Sequence, residues 1–261
     1  DEARKFAKLL SFNHKMVVHT PKLYAKFWKI TVEALEEPIY NPSLPMYAHM
    51  NEVMSNSGIV VTLAGDMGDE ILGGYPSYII AKRQNFKTFR DCVLFWLTKR
   101  LARPPSFKIK ININEIVDIL IETVFPDKLW DKDDPASSYM RLDQQGICSE
   151  DYFRRNDRLG MMYSMEGRFP FACKKMMNYC MNIHSSHKFG DTMESLKKMS
   201  RKSYKGILPD SIINKPKTGW TAPINLWRSQ FVKDCKEINH MASKITNVKL
   251  PNDKRWAPIL H

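Results

Sequence analysis

The chain has 261 residues, of which 43% are hydrophobic, so it is long enough to bury a sizeable core. Its formal net charge is +12, but the basic residues are spread along the chain without a long block, so nucleic-acid binding is not expected. No apolar run reaches membrane-spanning length, and the five cysteines form no C-x-x-C pair, which argues against disulfides and a zinc site. We therefore expect a protein of a reducing compartment, the cytoplasm, without a membrane partner.

The first part of the chain is predicted to alternate helices with short strands. Residues 1–10 have helical spacing and lack the apolar block of a secretory signal. Met16–Val18 is predicted to be a short strand, and Thr20-Pro21 to begin a helix that ends before Pro38. Residues 46–54 form the next predicted helix, and this order indicates an α/β layer with parallel strands.

The stretch from Ile59 to Tyr78 combines a β-branched apolar run with a turn rich in acids and glycines. Residues 59–63 are typical of a strand that is buried on both faces of a parallel sheet. Asp66, Asp69 and Glu70 follow at the sheet edge where open α/β sheets bind ligands. The three carboxylates could hold Mg²⁺ together with phosphates, or they could belong to an ordinary connection whose acids favour a helix dipole.

After Tyr78 the pattern is mainly helical. The predicted helices are residues 86–101, 113–124, two helices within 151–183 broken at Pro170, 192–207 and 224–238. The predicted loops are residues 128–136 and 214–223. The chain therefore divides into a partial α/β layer over residues 1–85 and a mainly helical part of the same domain over residues 86–261.

Three charged clusters lie in this second part. Glu166 and Arg168 stand among methionine and aromatic residues, which favours a core helix pair held by buried ion pairs over a place in a pocket. The run that starts at Lys197 and Lys198 is usually explained as solvated charge, although one lysine could stabilise a phosphate. The loop of residues 215–220 either closes over an anion or forms an exposed corner with its tryptophan packed inward.

Four ordered motifs carry a family resemblance. They are LAGDMGDEILGGY from Leu63, DRLGMMYSMEGRFPF from Asp157, the segment Lys197–Pro209 and KPKTGWTAPINLW from Lys215. In this order they resemble the synthetase domain of the glutamine-dependent asparagine synthetase family, and the N-terminal DEARKFA segment is similar to the stretch that precedes them there. The resemblance implies a parallel sheet of the adenine-nucleotide alpha-hydrolase, or ATP-pyrophosphatase, type followed by a mainly helical region.

The resemblance also implies an ATP-dependent carbon-nitrogen ligase that converts aspartate to asparagine through a β-aspartyl-AMP intermediate, with Mg²⁺. By position, Asp69 corresponds to a ligand of Mg²⁺-pyrophosphate, and Glu70 supports the turn. Asp66 corresponds to an acid near the substrate amine and the incoming ammonia. Lys197, chosen over Lys198 by its register to Leu208-Pro209, corresponds to the lysine that neutralises the α-phosphate.

The remaining assignments also come from the resemblance. The backbone around Leu63, Ala64 and Gly65 corresponds to the edge of the nucleotide site. Glu166 and Arg168 fall in the second motif and are assigned supporting positions. The implied partners are aspartate and ammonia, or glutamine through a glutaminase domain upstream or in trans, and the resemblance also admits a homodimer.

The chain departs from the family pattern in several places. Ala64, Met67, Gly167 and Ser200 replace a usual serine, glycine, alanine and leucine. The 261 residues contain neither the S-G-G-x-D-S-S loop that cradles pyrophosphate nor the N-terminal cysteine of the glutaminase domain. We therefore expect a C-terminal portion that is inactive alone. The alternatives are a related amide- or lactam-forming synthetase of secondary metabolism and a catalytically silent binding module.

Overall fold

The computed structural model describes residues 2–36, 39, 41–84, 86–101, 112–219, 222–223 and 227. Within them the chain is mostly helical and has one two-stranded sheet. It divides into two compact units, a first unit of residues 1–62, 155–166 and 219–261 and a second unit of residues 63–154 and 167–218. Among the described residues, every helix is too short or too polar to cross a membrane.

The first unit is built on helices whose starts and ends follow the sequence pattern. They are α1 (Glu2–Leu9), α2 (Pro21–Leu35) and α3 (Leu44–Ser55). The hydroxyl of Thr20 caps α2 by accepting the Leu23 N–H at 3.3 Å, so the predicted start is confirmed. The buried side chains of this unit's main core are Phe27, Leu35, Ile39, Leu44, Ala48 and Leu159.

The sheet is smaller and more exposed than the sequence predicted. Strands β1 (Val61–Leu63) and β2 (Glu166–Arg168) pair in parallel, since the Glu166 N–H donates to Val60 O at 2.8 Å and the Ala64 N–H donates to Arg168 O at 2.9 Å. The side chains of Val60 and Leu63 are 66% and 76% exposed, so the prediction of burial on both faces is wrong. The α/β character is confirmed, whereas the larger ATP-pyrophosphatase sheet stays a prediction.

A second predicted strand is also wrong. Residues 12–20 have no regular secondary structure, so Met16–Val18 forms no strand within the described part of the chain. The physical reason is that a β-branched run favours extended backbone, whereas a strand also needs a hydrogen-bonded neighbour.

The second unit is helical around one large aromatic core. Its helices are α4 (Gly68–Leu72), α5 (Pro76–Lys82), α6 (Phe89–Leu101), α7 (Ile113–Thr123), α8 (Pro135–Asp143), α10 (Lys174–Met181), α11 (Ser185–Lys188), α12 (Lys198–Ser203) and α13 (Asp210–Ile213). A π-helical segment, Gln144–Phe153, follows α8 in this unit. The next helix in the chain, α9 (Arg154–Met161), belongs to the first unit from residue 155 onward. The core includes Tyr78, Val93, Trp96, Phe125 and Tyr139, so the predicted helices 86–101 and 113–124 pack through their apolar residues.

The segment after α9 differs from its prediction. Instead of a core helix pair, the chain turns at Ser164, whose φ is 55°, and enters β2. Glu166 and Arg168 are exposed on that strand, so the predicted buried ion-pair arrangement is wrong. The glycine at position 160 lets the chain after the turn pass close to α9, because a Cβ at Gly160 would lie 2.8 Å from the Met165 carbonyl oxygen.

Three further predictions concern residues 128–136 and the chain after α11. Residues 192–207 are not one helix, because the backbone at Lys197 has a φ of 55° and interrupts it before α12 begins. The predicted surface loop 128–136 is wrong at its end, where Asp134 is buried and caps α8. The predicted helix 224–238 and the tryptophan at 220 lie outside the described residues, apart from Trp227.

Candidate anion-binding site beside helix α4

The turn after β1 brings Asp69 into the first turn of α4. Met67 precedes it with a φ of 74°, a left-handed conformation that costs a side-chained residue free energy and that occurs in functional turns. Gly74 follows α4 so closely that a Cβ there would lie 1.9 Å from Asp69 Oδ1. The acid therefore sits between a strained turn and a glycine that no other residue can replace without displacing the carboxylate.

Two lysines converge on Asp69. Lys197 Nζ lies 2.7 Å from Oδ1, and Lys217 Nζ lies 2.5 Å from Oδ2. Burial alone would raise the pKa of the Asp69 carboxyl, but the hydrogen bonds and charges of the two lysines outweigh it and hold that pKa below its ordinary value. The three side chains are 18%, 36% and 25% exposed for Asp69, Lys197 and Lys217, so this cluster is reachable from solvent.

The backbone explains why Lys197, rather than its neighbour, reaches the acid. The left-handed conformation of Lys197 turns the chain just before α12, and its N–H donates to the Gly73 carbonyl oxygen at 3.2 Å. Lys198 begins α12 and is exposed. The structure thus places at Asp69 the same lysine that the motif register selected.

Lys217 is the site residue that the sequence analysis did not single out. It lies in an irregular segment, residues 215–219, which that analysis left open between an anion-binding loop and an exposed corner. Arg201 connects this segment to the one that carries Lys197. Its Nε donates to the Leu196 carbonyl at 3.0 Å, and its Nη2 donates to the Lys215 carbonyl at 3.2 Å. The K-x-G pattern that starts at Lys217 was the available signal.

Glu70 has a different role from its neighbour. Glu70 is only 2% exposed, and its Oε1 accepts a hydrogen bond from the Tyr75 hydroxyl at 2.7 Å. Burial raises the pKa of the Glu70 carboxyl, although the hydrogen bond from Tyr75 opposes that shift. The Gln144 side-chain amide donates to the Glu70 carbonyl oxygen at 3.0 Å. Glu70 is therefore anchored in the core next to the turn, and its supporting role stays a prediction.

The other sequence candidates are placed by the chain around the turn. Asp66 is half-buried between β1 and α4, Leu63 and Gly65 are exposed, and the Ala64 N–H is used in the strand pair. A Cβ at Gly65 would meet no atom within 4 Å, so space is open beside this backbone. Arg168 lies exposed on β2 and Glu166 on the same strand. Of all these candidates, the structure brings Asp69 and Lys197 into direct contact.

The acids of the turn do not form a preassembled metal cage. Among the described residues, no group of three or more histidine, cysteine, aspartate or glutamate side chains is arranged to hold an ion. A Mg²⁺ ion that is bound mainly by phosphates needs only one or two protein carboxylates. Asp69 fits that requirement because it lies beside two cations suited to phosphate, whereas the Glu70 carboxylate is buried against Tyr75.

A cavity of about 300 Å³ adjoins the two lysines. Lys197, Arg201, Lys215 and Lys217 line it together with apolar side chains such as that of Leu208. Four cationic residues around one recess favour an anion, and their spread favours one larger than a single carboxylate. The recess is therefore a candidate site for an anion.

Comparison with known proteins identifies the family of this chain. The sequence model of the asparagine synthase family matches residues 1–248. The chain is also similar to the glutamine-hydrolyzing asparagine synthetase 3 of Bacillus subtilis (strain 168), with 29% identity over 219 residues. That match covers 79% of this chain and 33% of the relative, so the chain spans about one third of the relative's length. Because the family model covers nearly all of its residues, this chain belongs to the asparagine synthase family, as its motifs predicted.

Proposed function

We propose that this chain is the C-terminal synthetase part of an ATP-dependent ligase that converts aspartate to asparagine. The observation that carries the proposal is the convergence of Lys197 and Lys217 on Asp69 in a chain of the asparagine synthase family. Two ammonium groups on one carboxylate leave one positive charge unbalanced. That surplus, next to the recess described above, suits the triphosphate of ATP.

In the first proposed step the side-chain carboxylate of aspartate is adenylated. One of its oxygens attacks the α-phosphorus of ATP, the bond to the β-phosphate oxygen breaks, and pyrophosphate leaves with the electron pair. Lys197 offsets the charge that builds up on the α-phosphate, and Lys217 offsets the charge on the leaving pyrophosphate. The product is β-aspartyl-AMP.

Asp69 holds the lysines before the nucleotide arrives. Mg²⁺, when bound, would neutralise pyrophosphate oxygens, with Asp69 as its protein ligand. When the nucleotide binds, the ammonium groups of Lys197 and Lys217 exchange the Asp69 carboxylate for phosphate oxygens, so each has a negatively charged partner before and after binding. Neither lysine therefore has to be left unpaired in a partly buried place.

In the second proposed step the nitrogen of ammonia attacks the acyl carbon of β-aspartyl-AMP. The carbon–oxygen bond to AMP breaks, and AMP leaves with the electron pair. The nitrogen releases a proton to water, and the products are asparagine and AMP. Asp66, which lies in the same turn, accepts a hydrogen bond from the incoming ammonia, and backbone groups of residues 63–65 lie beside the nucleotide. Ammonia comes from glutamine through a glutaminase domain outside these 261 residues.

The test is product analysis with the protein at its natural length. We expect asparagine, AMP and pyrophosphate in equal amounts from aspartate, ATP, Mg²⁺ and ammonium, and none of them when glutamate replaces aspartate. Adenylation of another carboxylate in place of aspartate would assign the chain to a related amide- or lactam-forming synthetase. No ATP cleavage with any carboxylate would overturn the proposal in favour of a catalytically silent binding module.

A further inference from the structure

Tyr75 connects the buried acid Glu70 with one ammonium group of the anion site. Its ring centroid lies 5.0 Å from Lys217 Nζ, within the range of a cation–π interaction. Its hydroxyl donates to Glu70 Oε1 at 2.7 Å and lies 3.2 Å from the Tyr152 hydroxyl. The ring face of Tyr75 therefore contacts Lys217 of the anion site, and its hydroxyl contacts Glu70 and Tyr152 in the core.

Lys217 needs such a contact because its own backbone gives it little support. It lies in the irregular segment 215–219, and a lysine side chain has considerable rotamer freedom to lose. The contacts that the structure gives its ammonium group are the Asp69 carboxylate and the Tyr75 ring. When a phosphate replaces Asp69 as the partner of Lys217, or a metal ion binds Asp69, the ring remains.

The two contacts differ in what they leave available on Lys217. A carboxylate neutralises the ammonium charge and competes with a phosphate oxygen for it. An aromatic face attracts the cation through its quadrupole and removes no charge. The Tyr75 ring can therefore hold the ammonium group while that group donates to an anion.

The ring is itself held firmly. Because the Tyr75 hydroxyl has one proton and donates it to Glu70, the Tyr152 hydroxyl donates to Tyr75 in turn. Tyr78 packs edge-on against the ring, with centroids 5.6 Å apart and planes at 65°. These contacts fix both the position and the plane of the face that Lys217 meets.

We propose that Tyr75 is a positioning residue for Lys217. Its ring keeps the ammonium group at the phosphate position after Asp69 gives it up, and Glu70 and Tyr152 keep the ring in place. The inference rests on the proposed function for the identity of the anion as a pyrophosphate group. The coupling between ring and lysine can be measured by binding alone, without turnover.

The experiment is a double-mutant cycle on the affinity for inorganic pyrophosphate, measured by calorimetry with the protein at its natural length. Tyr75→Leu removes the ring face, and Tyr75→Met is a second ring-free variant if the leucine variant does not fold. We expect either to weaken pyrophosphate binding by about 2- to 30-fold, the span of cation–π strengths. Tyr75→Phe keeps the ring and should rescue most of the loss. Tyr179→Leu, which alters a tyrosine that is 66% exposed, is the matched control and should bind as wild type.

The Lys217→Ala background separates positioning from a general structural role. There the Tyr75→Leu change should have no further effect, because the ammonium group it positions is gone. An equal loss in both backgrounds, an equal loss in the phenylalanine variant, or no pyrophosphate binding by the wild type would each overturn the inference. Coupled pyrophosphate binding without asparagine formation would support it while overturning the proposed function.

Discussion

Asp69 and Asp134 are two partly or wholly buried acids of the second unit, and each stands at the start of a helix. Asp134 accepts four hydrogen bonds at 2.6–3.2 Å from the hydroxyls and backbone N–H groups of Ser137 and Ser185. Asp69 instead contacts the ammonium groups of Lys197 and Lys217. Burial opposes ionisation of both acids, and in both the partners lower the pKa of the carboxyl below its ordinary value.

The pKa values of both acids are lowered although their partners differ, so the direction of the shift alone assigns a role to neither. The donors on Asp134 are tied to α8 and α11, so they cannot leave without undoing two helix starts. The donors on Asp69 are the tips of flexible side chains beside an open recess, so they can exchange one anion for another. We infer that Asp134 stabilises the fold and that Asp69 belongs to the site.

The largest expected effect comes from removing an ammonium group from Asp69. Lys217→Ala should lower the rate of ATP–pyrophosphate exchange by about 100- to 1,000-fold, the usual loss when one preorganised group that stabilises the transition state is removed. Lys202→Ala, which removes an exposed lysine of α12, is the control and should exchange at the wild-type rate. Equal rates in the two variants would place Lys217 outside the site.

The matching change at Asp134 should act on stability. Asp134→Ala removes the cap of α8 and leaves buried donors of Ser137 and Ser185 unpaired, so the free energy of unfolding should fall by about 2–4 kcal/mol. Denaturant unfolding measures the loss. Exchange activity per folded molecule should stay at the wild-type level, and a selective loss of activity would break the distinction between the two acids.

Salt should separate the two acids further, with a smaller effect. Because both carboxyls have lowered native pKa values, both contribute stability that is complete above about pH 4 and is lost as pH falls through those values. At neutral pH, 1 M salt should reduce the stability difference between wild type and Asp69→Asn, because salt ions screen the partly exposed lysine charges. The difference for Asp134→Asn, which involves hydroxyl and N–H donors, should persist. Identical salt responses of the two differences would contradict the contrast.

The smallest predicted effect concerns Glu70. Because burial raises its native pKa, the ionised form is disfavoured in the fold, and this cost grows as pH rises through the ordinary value and the native one. Glu70→Gln keeps an acceptor for the Tyr75 hydroxyl and removes that charge. The variant should be more stable than wild type at neutral pH, and its advantage should vanish in acid. Denaturant unfolding measures the difference in free energy of unfolding between the variant and wild type. If this difference stays constant from pH 3 to 8, ionisation of Glu70 does not destabilise the fold.

Local sequence signals predicted several helices of this chain, because caps and apolar spacing act over a few residues. Thr20 and Pro21 fixed the start of α2, and the pattern of residues 113–124 agrees with α7 to within one residue. The same signals could not show that Leu63 would be exposed. A β-branched run reports a preference for extended backbone, and burial depends on which other segments cover it.

The site was predicted in part. The motifs singled out Asp69 and Lys197, and the structure brings them within 2.7 Å. The break at Lys197 was missed because basic and small residues on both sides of it fit a continuous helix, whereas its conformation follows from the contact with Gly73. Lys217 was left undecided because it is 148 positions from Asp69 in sequence, and no local pattern reports a pairing at that separation.

ATP–pyrophosphate exchange in Lys197→Ala and Lys198→Ala tests the central claim most directly. The two lysines are adjacent in sequence, yet the first contacts Asp69 and the second is exposed, so the pair forms its own control. With aspartate and Mg²⁺ present, we predict that Lys197→Ala loses at least about 100-fold in exchange rate and that Lys198→Ala exchanges as wild type. Equal rates in the two variants, or loss in Lys198→Ala alone, would contradict the assignment of this cluster as the phosphate site.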